Sequence, residues 1–237
     1  MEIQKKNKSN RKWWFRFLKI IMKLRYKKPN FIYLGEEISN SSIILSNHKG
    51  TDAPMSLEIY LNKPIQFWGT YQMNSGLKKL YSYQTKIYYH EKLHWNLFLA
   101  RLFCLFASPL TNLFYKELNL ISTYPDARFR NTIKESFNAI QEGKNIVIFP
   151  EKSTDGYKNI LDGFSAGFVL LCEHSLNNGV DLPIFVSYYN KKKKIYIIDK
   201  PVLYSDLKEK YKTKENIAKL LCDRCNELGQ MTNINIY

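Results

Sequence analysis

Short runs of β-branched and aromatic residues alternate along this chain with longer stretches whose apolar positions recur every three or four residues. The runs at 31–34, 43–46, 65–68, 120–124, 145–149, 183–189 and 194–198 predict strands. Helical spacing predicts helices over 53–61, 76–83, 95–107, 128–141, 163–174 and 214–228. The alternation predicts an α/β fold: a single domain with a mostly parallel sheet flanked by helices. Residues 146–149 form an unbroken apolar run, as in a central strand covered on both faces. Glu142-Gly143-Lys144 reads as a helix end and turn before it. The four lysines at 191–194 lie between two strand runs and read as a hairpin turn.

The N-terminal pattern differs. Lys12, Arg16, Lys19, Lys23 and Lys27 recur at helical spacing, and Trp13, Trp14, Phe17, Leu18, Ile20, Ile21 and Leu24 fill most of the remaining surface. A basic stripe beside a wide apolar face predicts an amphipathic helix at a membrane interface, with Lys stems snorkelling and Trp rings at headgroup depth. The plainer alternative is a helix packed on its own domain with a solvated basic edge. Charge favours the membrane: the net charge is +15, and residues 1–28 hold eleven Lys and Arg against one acid, Glu2. The division expected is a membrane-interface segment over 1–29 and a globular domain over 30–237. Charges interrupt this stretch too often for a signal peptide. A second apolar stretch, 95–115, reaches spanning length, but Arg101, Pro109 and Asn112 predict two helices broken at Pro109, buried or dipping into one leaflet.

With 45% apolar and 24% charged residues, wholesale disorder is excluded. Four cysteines make no disulfide scaffold at this length, and Cys222-x-x-Cys225 is a lone pair in a helical pattern, consistent with a reduced, cytosolic setting. A basic stripe interleaved with Trp and Ile argues against a nucleic-acid partner.

Candidate chemistry gathers at two strand ends, where such sheets bind ligands. The run 43–46 leads into Asn47-His48-Lys49-Gly50-Thr51-Asp52, and the run 146–149 into Pro150-Glu151-Lys152. A histidine oriented by a nearby carboxylate is a general base suited to a hydroxyl nucleophile, so His48 with Asp52 forms the candidate dyad. No Ser or Cys occupies a nucleophile elbow, which favours direct attack by a bound hydroxyl.

Ser46-Asn47-His48 and Asn145-Ile-Val-Ile-Phe-Pro-Glu151 resemble the glycerolipid acyltransferase family that acylates 1-acyl-glycerol-3-phosphate. The likeness covers roughly residues 30–200. Residues 132–143 are similar to the helix this family places before its Phe-Pro-Glu strand, and the basic N-terminus resembles its membrane-docking helices. The family has four residues between His and Asp; this chain has three, which on a helix rotates Asp52 by about 100°. Its third block reads Phe-Pro-Glu-Lys-Ser-Thr-Asp, without the family's Gly and Arg. The resemblance implies a membrane-associated acyltransferase. It would move an acyl chain from acyl-CoA or acyl carrier protein, as co-substrate, to a hydroxyl of a lysolipid or glycerol-phosphate-like acceptor. His48 would be the base and Asp52 its orienter, with backbone N–H groups at 47–50 stabilising the oxyanion. Asn47, Lys49, Phe149, Pro150 and Glu151 would shape the substrate site, and Arg128, Arg130 and Lys152 would hold phosphate. No metal or bound cofactor is implied. The expected location is the cytoplasmic face of an anionic membrane, peripheral or monotopic.

Two alternatives remain at this stage. One is a lipid-binding protein with a degenerate site. The other is a zinc peptidase through His90-Glu91-Lys92-Leu93-His94, a literal H-E-x-x-H whose charged interior and missing third ligand count against it.

Overall fold

The computed structural model describes residues 12–152 and 156–232. The basic residues Lys5, Lys6, Lys8 and Arg11 and the block residues Ser153, Thr154 and Asp155 lie outside the described residues. Among the described residues eight strands form one sheet: β1 (Asn30–Tyr33), β2 (Ile43–Ser46), β3 (Ile65–Thr70), β4 (Ile121–Thr123), β5 (Asn145–Ile148), β6 (Pro183–Asn190), β7 (Ile195–Ile198) and β8 (Val202–Leu203). The order is β1-β7-β6-β2-β5-β3-β4, with β8 on the margin of β6. Every pairing is parallel except β6 with β7 and β6 with β8. The lysines at 191–194 make the β6–β7 turn, so the one hairpin read from the sequence is present.

Strand alternation divides the core between two faces. Ile43, Leu45, Ile146, Ile148, Ile184 and Val186 point to one side, where α6 (Phe129–Gln141), α7 (Gly167–Asn177), α8 (Tyr204–Lys210) and α9 (Lys214–Met231) cover them. Ile44, Val147 and Phe185 point to the other, beneath α1 (Trp13–Arg25), α2 (Asp52–Tyr60) and the C-terminal part of α5 (Leu97–Leu118). The α9 helix approaches β6 closely because Gly229 leaves room: a Cβ there would lie 2.8 Å from Tyr188. The basic amphipathic α1 precedes the sheet and is anchored to α5 by buried Phe15 on Phe114 and to α2 by Lys19 Nζ, 3.0 Å from the buried carboxylate of Glu58.

Between β3 and β5 the chain departs from its predicted course. Two short helices, α3 (Tyr71–Asn74) and α4 (Leu77–Ser82), lead into a π-helix over Tyr83–Lys92. The expected break at Pro109 is absent: α5 runs unbroken for 22 residues with Pro109 inside it. Proline removes one helical hydrogen bond. Packing on both sides of it holds the helix together: Ala100, Cys104 and Ser108 are buried ahead of it or next to it, and Leu118 beyond it.

Candidate active site

β2 and β5 lie side by side at the centre of the sheet, and both end at the same edge. After β2 the Asn47 side chain turns back on the sheet. Its amide donates to Tyr189 O at 3.1 Å and its oxygen accepts from Tyr189 N at 2.7 Å. Asn47 is therefore a clamp between β2 and β6, fully buried and not among the residues that line the cavity beside His48. Lys49 (φ 43°) and Gly50 (φ 66°) then take left-handed conformations in succession. That reversal ends the strand and lets α2 begin at Asp52. A left-handed lysine is strained, and such strain concentrates at functional sites. The Lys49 ammonium is committed to Asn159 Oδ1 at 2.7 Å and to the carbonyl of Lys158.

His48 sits between Phe149, at 4.8 Å centroid separation, and Tyr157, at 5.1 Å and nearly parallel. Its backbone N–H donates to Glu151 Oε1 at 3.2 Å, joining the ends of β2 and β5. Nδ1 is sealed from solvent and has no hydrogen-bond partner among the described residues. Burial, and secondarily the charge of Lys92, push the imidazole down to about 4. The ring is thus held neutral at physiological pH, with one of its two nitrogens carrying a lone pair. Burial raises Glu151, while the His48 N–H and the charges of Lys92 and Lys49 oppose the rise.

Asp52 does not orient this ring. Its Oδ2 lies 2.9 Å from Lys191 Nζ and its Oδ1 3.8 Å from Arg25 Nη1. With three intervening residues the aspartate becomes the first residue of α2, and the helical rotation turns it towards the β6–β7 hairpin and α1. The expected dyad is therefore unformed in this structure.

The cavity against His48 holds about 750 Å³ and is largely apolar. Phe149, Pro150 and Glu151 line it. Arg128, Arg130 and Lys152 do not. Arg128 is exposed, paired with Asp126 (Nη2–Oδ2 2.6 Å) and laid over Tyr124 and Tyr71. Phe129 faces the cavity, so its neighbours 128 and 130, about 100° away on either side, turn outward. Lys152 lines a separate cavity of about 740 Å³ by the start of α7, bordered by three lysines and four acids.

The cation that does line the His48 cavity is Lys92, the only Lys or Arg there among the described residues, with Nζ 4.0 Å from the Tyr157 ring centroid. Sequence reading missed it because Lys92 lies on the π-helix. There Tyr83 and Tyr88, and likewise Gln84 and Tyr89, stand five apart yet face the same cavity. In an α-helix residues five apart diverge by about 140°. Segments of π-helix recur at functional sites.

The H-E-x-x-H segment loses the geometry a zinc site needs. The helix ends at Lys92, His94 takes a left-handed conformation (φ 56°), and His90 Nδ1 lies 2.8 Å from Trp95 O. Two ligands four apart on one α-helical face are therefore not presented. The cysteines of Cys222-x-x-Cys225 are both buried in the α9 interface as free thiols.

No protein-family model matches the chain, and no curated protein does either.

Proposed function

We propose that this protein transfers an acyl group from a thioester to a hydroxyl of an anionic lysolipid-like acceptor at a membrane. One observation carries the proposal. A histidine held neutral at the end of a central parallel strand, with Nδ1 shut from solvent, lines a large apolar cavity with the Glu151 carboxylate and the Lys92 ammonium beside it. The apolar walls suit acyl chains, and Lys92 suits a phosphate or a developing oxyanion. His48 takes the proton of the acceptor hydroxyl as its oxygen attacks the thioester carbonyl carbon. The tetrahedral intermediate then collapses, the carbon–sulfur bond breaks, and the leaving thiolate receives the proton from the imidazolium. Glu151 fixes the backbone of His48. Of the N–H groups expected to form an oxyanion hole at 47–50, that of His48 is already given to Glu151. The exposed apolar side of α1, with its basic stripe, supports attachment to an anionic surface.

The unpartnered Nδ1 of His48 favours one competing reading, a lipid-binding protein without turnover. Mass spectrometry of lipids, after purified protein meets acyl-CoA or acyl carrier protein with a panel of lysolipids, separates the two. Acyl transfer that falls about 10²–10⁴-fold in His48→Ala supports the mechanism. Bound lipid without any product supports the binding protein, and product formed equally by His48→Ala removes the histidine from the chemistry.

A further inference from the structure

Of the exposed large apolar side chains among the described residues, five sit on α1 and eight on α5. α5 is built inside out. Ala100, Cys104 and Ser108 face the protein, where Ser108 Oγ donates to Gln84 Oε1 at 2.7 Å and Gln84 Nε2 donates to Thr111 Oγ1 at 3.0 Å. Phe98 and Phe106, each 71% exposed, and Leu110, 70% exposed, face away. A helix that turns its small and polar residues inward and its phenylalanines outward matches a surrounding less polar than water.

The surroundings of this face say which apolar medium it meets. From 71 to 118 the chain carries Lys78, Lys79, Lys86, Lys92, Arg101 and Lys116 against two acids, Glu91 and Glu117. Glu117 is paired with Lys12, at the N-cap of α1, at 3.2 Å, and the segment that holds α5 and the helices packed on it is net basic. Basic residues beside exposed Phe and Leu fit the headgroup and acyl layers of an anionic leaflet better than they fit a second copy of the same basic chain. α5 is long and apolar enough to cross a membrane, with 17% of its most apolar 18-residue window buried. Gln84 of the π-helix, however, ties Ser108 and Thr111 of α5 to the domain, and Ala100, Cys104 and Leu118 are buried along the same helix, which favours a helix lying along the domain over one that leaves it to span a bilayer.

α1 crosses α5 where Phe15 meets Phe114, and the two helices share a wall of the His48 cavity: Leu18 and Met22 come from α1, Leu110 and Phe114 from α5. From this we infer that α5 is a second lipid-seated helix beside α1, lying in the plane of the leaflet. The gap between the two is the mouth through which acyl chains pass sideways into the cavity. The passage of acyl chains rests on the acyl-transfer reading; the seating of α5 does not.

Full-length protein carrying Phe106→Cys, labelled with an environment-sensitive fluorophore, tests the seating, with Lys134→Cys on the exposed side of α6 as control. The native cysteines are buried. In phosphatidylcholine–phosphatidylglycerol vesicles with a nitroxide at mid-chain, the label at 106 is expected to shift blue and be quenched severalfold more than the label at 134. A label at 106 that stays water-like while the protein sediments with vesicles overturns the seating. So does a blue shift that tracks protein concentration without vesicles, which would make a second copy the occupant. The mouth is tested with Phe98→Glu/Phe106→Glu, which leaves His48 and the cavity lining untouched. Vesicle partitioning is expected to fall at least tenfold, since the two most exposed phenylalanines of the face are replaced by charges. Acylation of a long-chain acceptor in vesicles falls with it, while acylation of a dispersed short-chain acceptor does not. Equal loss on both acceptors overturns the sideways entry. Absence of turnover on either acceptor in the wild-type protein counts against acyl transfer and leaves the fluorescence result to judge α5.

Discussion

Helices α9 and α5 are the two longest among the described residues, and they differ in what they expose. α9 turns Ile217, Leu221, Cys225 and Leu228 into the core and leaves Lys219, Asp223 and Glu227 outside, the arrangement expected of a helix between a sheet and water. α5 keeps Ala100, Cys104 and Ser108 inside and exposes Phe98, Leu102 and Phe106. Both are amphipathic by the same periodicity. What differs is the medium each outer face has been built for, and hydropathy along the sequence carries no sign of which side is out.

The sharpest test of this difference is a pair of truncations. Leu221→Ala in α9 is expected to cost about 2–5 kcal/mol of unfolding free energy by urea titration, through lost contacts and the cavity left behind. Leu102→Ala on the outer side of α5 is expected to cost less than about 0.5 kcal/mol in the same buffer. Comparable losses would mean that α5 is covered by protein.

A second test asks whether the His48 pocket belongs to the sealed part of the molecule. The ordinary value for histidine is 6.5 and the folded value about 4, so the fold favours the neutral ring. The associated stability is complete above pH 6.5 and is lost as the pH falls towards 4, about 3 kcal/mol. Urea midpoints between pH 7 and 4 should follow that slope, and His48→Gln should flatten it. The acid limb of any acyl-transfer profile should likewise lie well below pH 6.5. A limb at the ordinary value would show that the ring is solvated during any such transfer.

Smaller effects are expected at the edges of the site. Asp52→Asn removes a carboxylate that serves Lys191 and Arg25, so turnover should change less than about fivefold, under 1 kcal/mol. A loss near that of His48→Ala would mean that substrate binding moves Asp52 onto the imidazole. Least of all, Lys12→Ala breaks an exposed ion pair with Glu117 and should cost about 0.2–1 kcal/mol, diminishing with salt.

Much of the sheet was legible in the sequence because its strands are short β-branched runs covered on both faces: Ile43–Ser46 matches the predicted span, and Asn145–Ile148 differs by one residue. The convergence of His48 with Phe149, Pro150 and Glu151 was legible for a related reason, since the ends of adjacent parallel strands meet. Three features were hidden. The π-helix has a spacing that helical templates do not register, so Lys92 and the tyrosines around it escaped. Asn47 looked like a substrate contact because its role as a clamp depends on Tyr189, 142 residues away. Asp52 looked like an orienter because the start of α2, which turns it aside, falls on Asp52 itself.

The register of the sheet also governs how the protein is made. β1 finds its neighbour only when Asn30 meets Ile195, and β2 waits for Ile146 and Ile184. At synthesis rates of about 5–20 residues per second, roughly 8–33 s separate the appearance of β1 from that of β7. α1 and α5 emerge inside that interval, before the sheet can close. Pairings this distant make folding slow and leave apolar surface open to aggregation. A nascent chain that rests these two helices on a lipid surface withdraws that surface from other chains, so the side chains proposed to seat the finished protein would also shelter it while the ribosome is still at work.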